Sequence, residues 1–226
     1  MKTYIPFFLL LTLIATSCGR YIDPNDYSYR PKKHELIVVD AGHGGKDPGC
    51  TSKKDRYEEK ELTLSTAHIL KNALEQLGYT VVLTRHHDTY LPLDTRAEIA
   101  NAIGADLFVS IHYNYSPNQE ARGAEVYSYK EGKTPPSKRI ASSKQLAQHV
   151  IKGIEEQTKA PSRGLKEANF CVIRETKMPA ILVEGGFLSN PQEREKLRDP
   201  QYRTRLAWAI AQGVDTYLNY SSISFR

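Results

Sequence analysis

The chain reads as a single α/β domain: a mainly parallel, twisted sheet of about six strands with helices on both faces. Two observations predict this. Short runs rich in Val, Ile and Leu recur along the chain (LIVVD, TVVLT, DLFVSI, AILV) and stop at glycine, charge or histidine. Between them lie longer segments whose apolar residues return every three or four positions. Continuous apolar runs suit strands buried on both faces, and their alternation with helices favours parallel pairing through crossovers.

Leu36–Asp40 is the first expected strand, preceded by charge and ended by glycines. The loop from Ala41 to Tyr57 is glycine-rich and then strongly charged. A helix from about Glu59 to Leu77 sets Leu62, Ala67, Ile69, Leu70, Ala73, Leu74 and Leu77 mostly on one face, and Gly78 stops it. Tyr79–Thr84 is the second strand. Pro92 opens a second helix, which Gly104 closes. Asp106–Ile111 is the third strand. Gly123–Tyr129 alternates and suits a strand nearer an edge. A helix over about Ser137–Thr158 follows, then strands at Phe170–Arg174 and Ala180–Val183, and a last helix over about Asp199–Leu218.

The first residues read as an export signal rather than as part of this fold. Lys2 is followed by an apolar stretch from Ile5 to Ala15, short of the roughly 20 residues a spanning helix needs. Cys18 stands where a lipoprotein signal carries its acylated cysteine, although Ala15 occupies a position where Leu is usual; simple secretion and an uncleaved anchor are the alternatives. The expected organisation is a signal over 1–17, a polar, tyrosine-rich tether over 18–34, a folded domain over 35–220 and a tail over 221–226. The formal charge of +5 is scattered, with no basic stripe interleaved with aromatics, which argues against a nucleic-acid partner. Cys50 and Cys171 are either a disulfide or two buried thiols, and without CxxC no structural zinc knuckle is expected.

The candidate site lies at the strand ends, where open α/β sheets collect ligands. His43 follows the first strand in a Gly-His-Gly-Gly turn, His112 follows DLFVSI, and Glu184 ends AILV before two glycines. Two histidines and a carboxylate are the ingredients of a catalytic zinc site, and a further carboxylate could act as its base. A lone carboxylate ending a buried strand must be paired, protonated or close to a metal. Spacing does not choose among Glu58, Glu59 and Glu61 as a further ligand. Asn114 and Asp40 are candidates to hold histidine ring nitrogens. His86-His87-Asp88 reads as a solvated turn. Other metal readings lack HExxH, serine chemistry lacks Gly-x-Ser-x-Gly, and phosphate binding lacks G-x-G-x-x-G.

The ordered segments VVDAGHGGKDPG, EKELTL, VVLTR, ADLFVSIHYN, RGAEVY, RGLKEANFCVIR, MPAILVEGGFLSNP and LAWAIAQGV resemble the zinc-dependent N-acetylmuramoyl-L-alanine amidases of the amidase type 3 family over roughly Leu36 to Leu218. The resemblance implies that His43, Glu59 and His112 bind one Zn2+, and that Glu184 is the catalytic carboxylate. It implies cleavage of the amide between the lactyl group of N-acetylmuramic acid and L-alanine of the peptidoglycan stem. Asn114, Arg122 and Asn169 are then candidates for substrate binding or for supporting the ligands. Some members of the family carry a long helix that plugs the site until a partner releases it. Here about ten residues, Lys130 to Arg139, follow the GAEVYSY strand. An open, monomeric enzyme needing no activator is therefore expected, held to the envelope through a lipid on Cys18 and facing the periplasm. A zinc peptidase or deacetylase on the same scaffold, and a wall-binding lipoprotein without activity, are the competing readings.

Overall fold

The computed structural model describes residues 33–52, 57–130, 132 and 136–223. The expected signal, Cys18 and all of the tether but Lys33 and His34 lie outside these residues. The chain enters the fold at Lys33, whose ammonium pairs with Asp215 and meets the Tyr79 hydroxyl.

Six strands form one sheet. In chain order they are β1 (Leu36–Ala41), β4 (Thr80–Leu83), β5 (Leu107–Asn114), β6 (Ala124–Tyr129), β7 (Ser162–Ala168) and β8 (Ala180–Phe187). Two-residue strands β2 (Thr51–Ser52) and β3 (Tyr57–Glu58) pair with each other in the loop after β1. The sheet order is β4-β1-β5-β8-β6-β7. All pairs are parallel except β6 with β8. The α/β class, the strand count and the mainly parallel arrangement are those expected from the sequence.

Helices cover both faces. Residues of α1 (Glu59–Gln76), α3 (Lys138–Thr158), α5 (Pro191–Arg198) and α6 (Pro200–Ile223) pack with Ile37, Val39, Val109, Ile111 and Val183 in the larger core. The short helices α2 (Leu93–Ala102) and α4 (Cys171–Arg174) pack with Val38, Phe108 and Leu182 on the other face. Alternate residues of a strand point to opposite faces, so His112, Asn114 and Glu184 share the face of Phe108 and Leu182. Among the described residues that face carries two short helices, which leaves room for a cavity. Among the described residues no helix is long and apolar enough to cross a membrane.

Four expectations are corrected. Phe170–Arg174 is not a strand: Cys171–Arg174 form one helical turn with Val172 and Ile173 buried. A four-residue apolar run does not distinguish strand from buried helix. The sixth strand is instead β7, an edge strand paired only with β6, whose sequence SRGLKEA shows no apolar run because most of it is not buried. Helix α5 is too polar to show a buried stripe; Asn190 Oδ1 caps it by accepting from Gln192 N and Glu193 N, with Pro191 at its start. Strands β5 and β8 run three and four residues beyond their expected ends, so His112 and Glu184 lie within strands, opposite each other in register.

Candidate metal centre and catalytic cavity

Glu59 opens α1 and is only 4% exposed. Its Oε1 lies 3.1 Å from His43 Nε2 and 3.3 Å from His112 Nδ1, and accepts the Tyr113 N–H at 2.9 Å. Its Oε2 accepts the Cys50 N–H. Glu58 instead pairs with Lys60 at the surface, and Glu61 is exposed. Of the three glutamates that spacing leaves open, Glu59 is the one whose carboxylate meets both histidines. The two imidazoles meet edge to face with centroids 4.9 Å apart, and one donor atom from each of the three residues falls within 4.8 Å of the others.

The spacing of the donor set fits zinc. Bonds of about 2.0–2.1 Å in a tetrahedron put neighbouring donors roughly 3.3 Å apart, close to the 3.1 and 3.3 Å seen here. The surrounding glycines make a cradle that a side chain would fill. A Cβ at Gly42 would stand 2.7 Å from His112 Nδ1 and closer still to Cε1 and Nε2. A Cβ at Gly49 would stand 2.6 Å from Glu59 Oε2 and 2.7 Å from His43 Cδ2. Burial opposes ionisation of Glu59, but the two histidines overcome it and hold its carboxyl far below the usual range. Burial likewise disfavours a charged His43, yet Glu59 and Asp47 raise its proton affinity. A centre with this charge pattern favours a cation.

His43 itself has φ 61°, a left-handed conformation that few non-glycine residues adopt. Its carbonyl accepts from Arg96 Nη2 at 2.6 Å, and Gly44 and Asp47 exchange both backbone hydrogen bonds. His43 Nδ1 meets Asp47 Oδ2 at 2.9 Å, which orients the ring. Beneath the turn, Arg96 is 1% exposed and spans Asp40 Oδ1 and the carbonyls of Ala41, His43 and Leu91. Arg85, also buried, donates to the carbonyls of Ala41, Gly42 and Lys60.

Glu184 lines the same cavity. Its Oε2 is buried with no hydrogen-bond partner among the described residues. Burial, then the charges of Glu59 and Glu125, push its proton affinity well above the ordinary carboxyl range. The cavity holds about 390 Å³, and its wall includes Leu93, Tyr115, Phe170 and Val172 beside the four site residues. Exposed Tyr115 and Phe170 form part of its rim.

The expected supporting residues are distributed differently. Asp40 does not reach a histidine: it bonds Thr84, Ser110 and Arg96. Asn114 lines the cavity, but its Nδ2 donates to Glu125 and its Oδ1 accepts from Tyr115 N, so it holds no ring nitrogen. Arg122 is exposed and Asn169 is engaged by Arg174; neither lines the cavity. Cys50 and Cys171 both line it as free thiols, and burial followed by the Glu59 charge pushes the Cys50 thiol up to about 11. His86 and His87 are exposed, as a solvated turn requires, while Asp88 pairs with Lys60. Asp47, Arg85, Arg96 and Glu125 were missed by sequence reasoning. Asp47, Arg85 and Glu125 lie inside the segments VVDAGHGGKDPG, VVLTR and RGAEVY; Arg96 lies in none of them.

A family model described as N-acetylmuramoyl-L-alanine amidase matches residues 37–216. The chain is 34% identical over 191 residues to the probable cell wall amidase LytH of Staphylococcus saprophyticus, covering 84% of this chain and 60% of LytH. It is 35% identical over 228 residues to the N-acetylmuramoyl-L-alanine amidase AmiC of Neisseria meningitidis, covering 85% of this chain and 55% of AmiC. The chain therefore spans little more than half the length of these curated relatives. A crystal structure of an N-acetylmuramoyl-L-alanine amidase from Clostridium difficile superposes with a TM-score of 0.76 at 41% identity, over 82% of this chain and 97% of that one.

Proposed function

The chain belongs to the N-acetylmuramoyl-L-alanine amidase family, and from that premise we propose that it hydrolyses the amide joining the lactyl group of N-acetylmuramic acid to L-alanine in peptidoglycan. The observation that carries this reading is the convergence of His43, Glu59 and His112 beside Glu184 in one open cavity. His43, Glu59 and His112 would hold one Zn2+, a set of three protein ligands that leaves a coordination position open. Bound there, zinc supplies a Lewis acid for the amide carbonyl and makes water acidic enough to attack near neutral pH. Glu184 takes a proton from the attacking water and returns it to the departing L-alanine amine. Its buried, unpartnered Oε2 and raised proton affinity suit a group that must hold that proton between the two steps. Buried Val172 and Leu182 give the cavity an apolar floor beside the reacting amide, while the exposed rim of Leu93, Tyr115 and Phe170 admits a polymer.

Residues 130–137 are all that separate β6 from α3, which supports a site that works without an activator. The enzyme acts as a monomer in the envelope, tethered through a lipid on Cys18 and facing the periplasm. Incorporation of labelled fatty acid that survives Cys18→Ser would remove the anchor from this reading.

Digestion of purified peptidoglycan, with mass spectrometry of the products, tests the reaction. Free stem peptides beginning with L-alanine are expected. Internally cut peptides would replace the amidase with a peptidase. Glu184→Ala is expected to lose activity about 10²–10⁴-fold while metal analysis still finds one zinc; loss of the zinc would make Glu184 a ligand instead of a base.

A further inference from the structure

Charged side chains run in a row across the open face of the sheet, away from the metal centre. His112 on β5 stands in register with Glu184 on β8, and Glu184 in register with Glu125 on β6. Glu125 is 2% exposed, and its Oε1 meets two cations of β7, Arg163 Nε at 2.6 Å and Lys166 Nζ at 3.4 Å. Its Oε2 is taken by Asn114 and Tyr127. The two cations are not consumed by this contact. Both side chains remain more than one third exposed, and among the described residues Arg163 Nη1 and Nη2 have no hydrogen-bond partner. One buried carboxylate faces two cations, so a positive charge is left over at the end of the row. Glu125 holds Arg163 by Nε, which leaves the two terminal nitrogens as a fork of the geometry that carboxylates accept.

The separation matches a peptide. Two strand spacings of about 4.8 Å put β7 roughly 10 Å from β8 and Glu184. An extended chain advances about 3.3–3.6 Å per residue, so a stem peptide leaving the reacting amide reaches these cations at its second or third residue. Phe170, on the cavity rim, packs edge to face on Tyr127 at 5.2 Å, and the Tyr127 hydroxyl donates to Glu125, which links the rim to this row.

On the reading that the chain cleaves muramoyl peptides, we infer that Arg163 and Lys166 form a specificity subsite for a carboxylate carried by the second or third residue of the stem. Glu125 is the positioning residue that aims Arg163.

The test uses the zinc-loaded full chain and synthetic N-acetylmuramoyl peptides. One arm compares a dipeptide stem whose acidic second residue carries a free or an amidated carboxylate. The other arm compares tripeptide stems, amidated at residue two, with the carboxylate of residue three free or amidated. A charge-assisted contact of this kind gives a preference of roughly ten- to a hundredfold in kcat/KM for the free acid in one arm. The arm that shows it identifies the residue recognised. In Lys166→Met and Arg163→Gln that ratio collapses toward one. Arg163→Gln leaves Glu125 with a weaker partner, so a thermal melt accompanies it; should it fail to fold, Lys166→Met carries the test alone. Equal rates on free and amidated stems by the unmodified enzyme overturn the subsite while leaving the amidase reading intact. A preference that persists unchanged in the folded variants also overturns it. Failure to cleave any muramoyl peptide at the lactyl amide overturns the amidase reading and this inference together.

Discussion

Replacing Gly42 by alanine places one methyl group where the His112 ring now lies. The backbone at Gly42 does not need positive φ, so alanine is admissible there and the effect is steric. The new Cβ would be 2.7 Å from His112 Nδ1, and ordinary contact begins at 3.4 Å; the difference, 3.4 − 2.7, requires the ring to retreat by at least 0.7 Å. The closer approach to Cε1 and Nε2 demands more. A working ligand has to stand within about 0.2 Å of its bonding distance, so a ring displaced this far no longer shares a metal with His43 and Glu59. The overpacking itself costs about 1–3 kcal/mol, which a domain with so large a core tolerates. Gly42→Ala is therefore expected to fold, with a somewhat lower Tm, and to lose zinc affinity by at least tenfold when titrated against a competing chelator. Gly132→Ala, where a Cβ meets nothing within 4 Å, is the control and keeps full affinity. Wild-type zinc affinity in a folded Gly42→Ala protein would refute the assignment of His112 as a ligand held against this glycine.

Asp47→Ala removes the partner of His43 Nδ1 and is expected to weaken zinc binding about 10–100-fold, read by the same titration; an unchanged constant would deny Asp47 its orienting role. Arg96→Met leaves Asp40 buried without its cation and is expected to cost about 3–5 kcal/mol, measured by urea unfolding. Stability should also fall in acid. Burial of Asp40 raises its proton affinity, but Arg96, Thr84 and Ser110 outweigh that and hold it below the usual carboxyl range. A depressed pKa contributes stability that is present above the unfolded value near 3.9 and is lost as pH drops through the folded value. The unfolding free energy should therefore decline below about pH 4, and less steeply in Asp40→Asn; equal slopes in the two proteins would assign the decline to other groups.

How much of this was legible in the chain follows from what each residue needs. His43, His112 and Glu184 were found because each adjoins a buried β-branched run, a local signal. Glu59 could not be separated from Glu58 and Glu61 by spacing, because only the approach of β1 and β5 to the start of α1 distinguishes them. The resemblance to the amidase family implies Glu59, whose Oε1 lies beside both histidines. Strand β7 escaped because an edge strand with polar residues carries no apolar pattern, and α5 because only Glu193 and Leu197 of it are buried. Arg96 has no sequence signature at all, and Arg85 and Glu125, though inside VVLTR and RGAEVY, have none that assigns them a role. Arg96 meets Asp40 across 56 positions of the chain and Arg163 meets Glu125 across 38; such pairs exist only once the sheet has formed.

The two buried arginines explain how a histidine can be held in an unfavourable backbone conformation at the head of the site. A non-glycine residue at positive φ costs on the order of 1–3 kcal/mol. Turning the chain this way sends the carbonyls of Ala41, Gly42 and His43 inward, where they would be buried acceptors without donors. Arg85 and Arg96 supply those donors, with Thr63 Oγ1 adding a bond to Gly42 O at 2.7 Å. Hydrogen bonds from charged donors contribute about 1.5–3 kcal/mol each, so the bonds from Arg96 to Ala41 O and His43 O suffice to offset the strain. Asp40, tied to Thr84 and Ser110, fixes Arg96 in turn. The imidazole is left on the opposite side of the turn, facing Glu59 and His112. The polar interior below β1 is thus the support that aims His43.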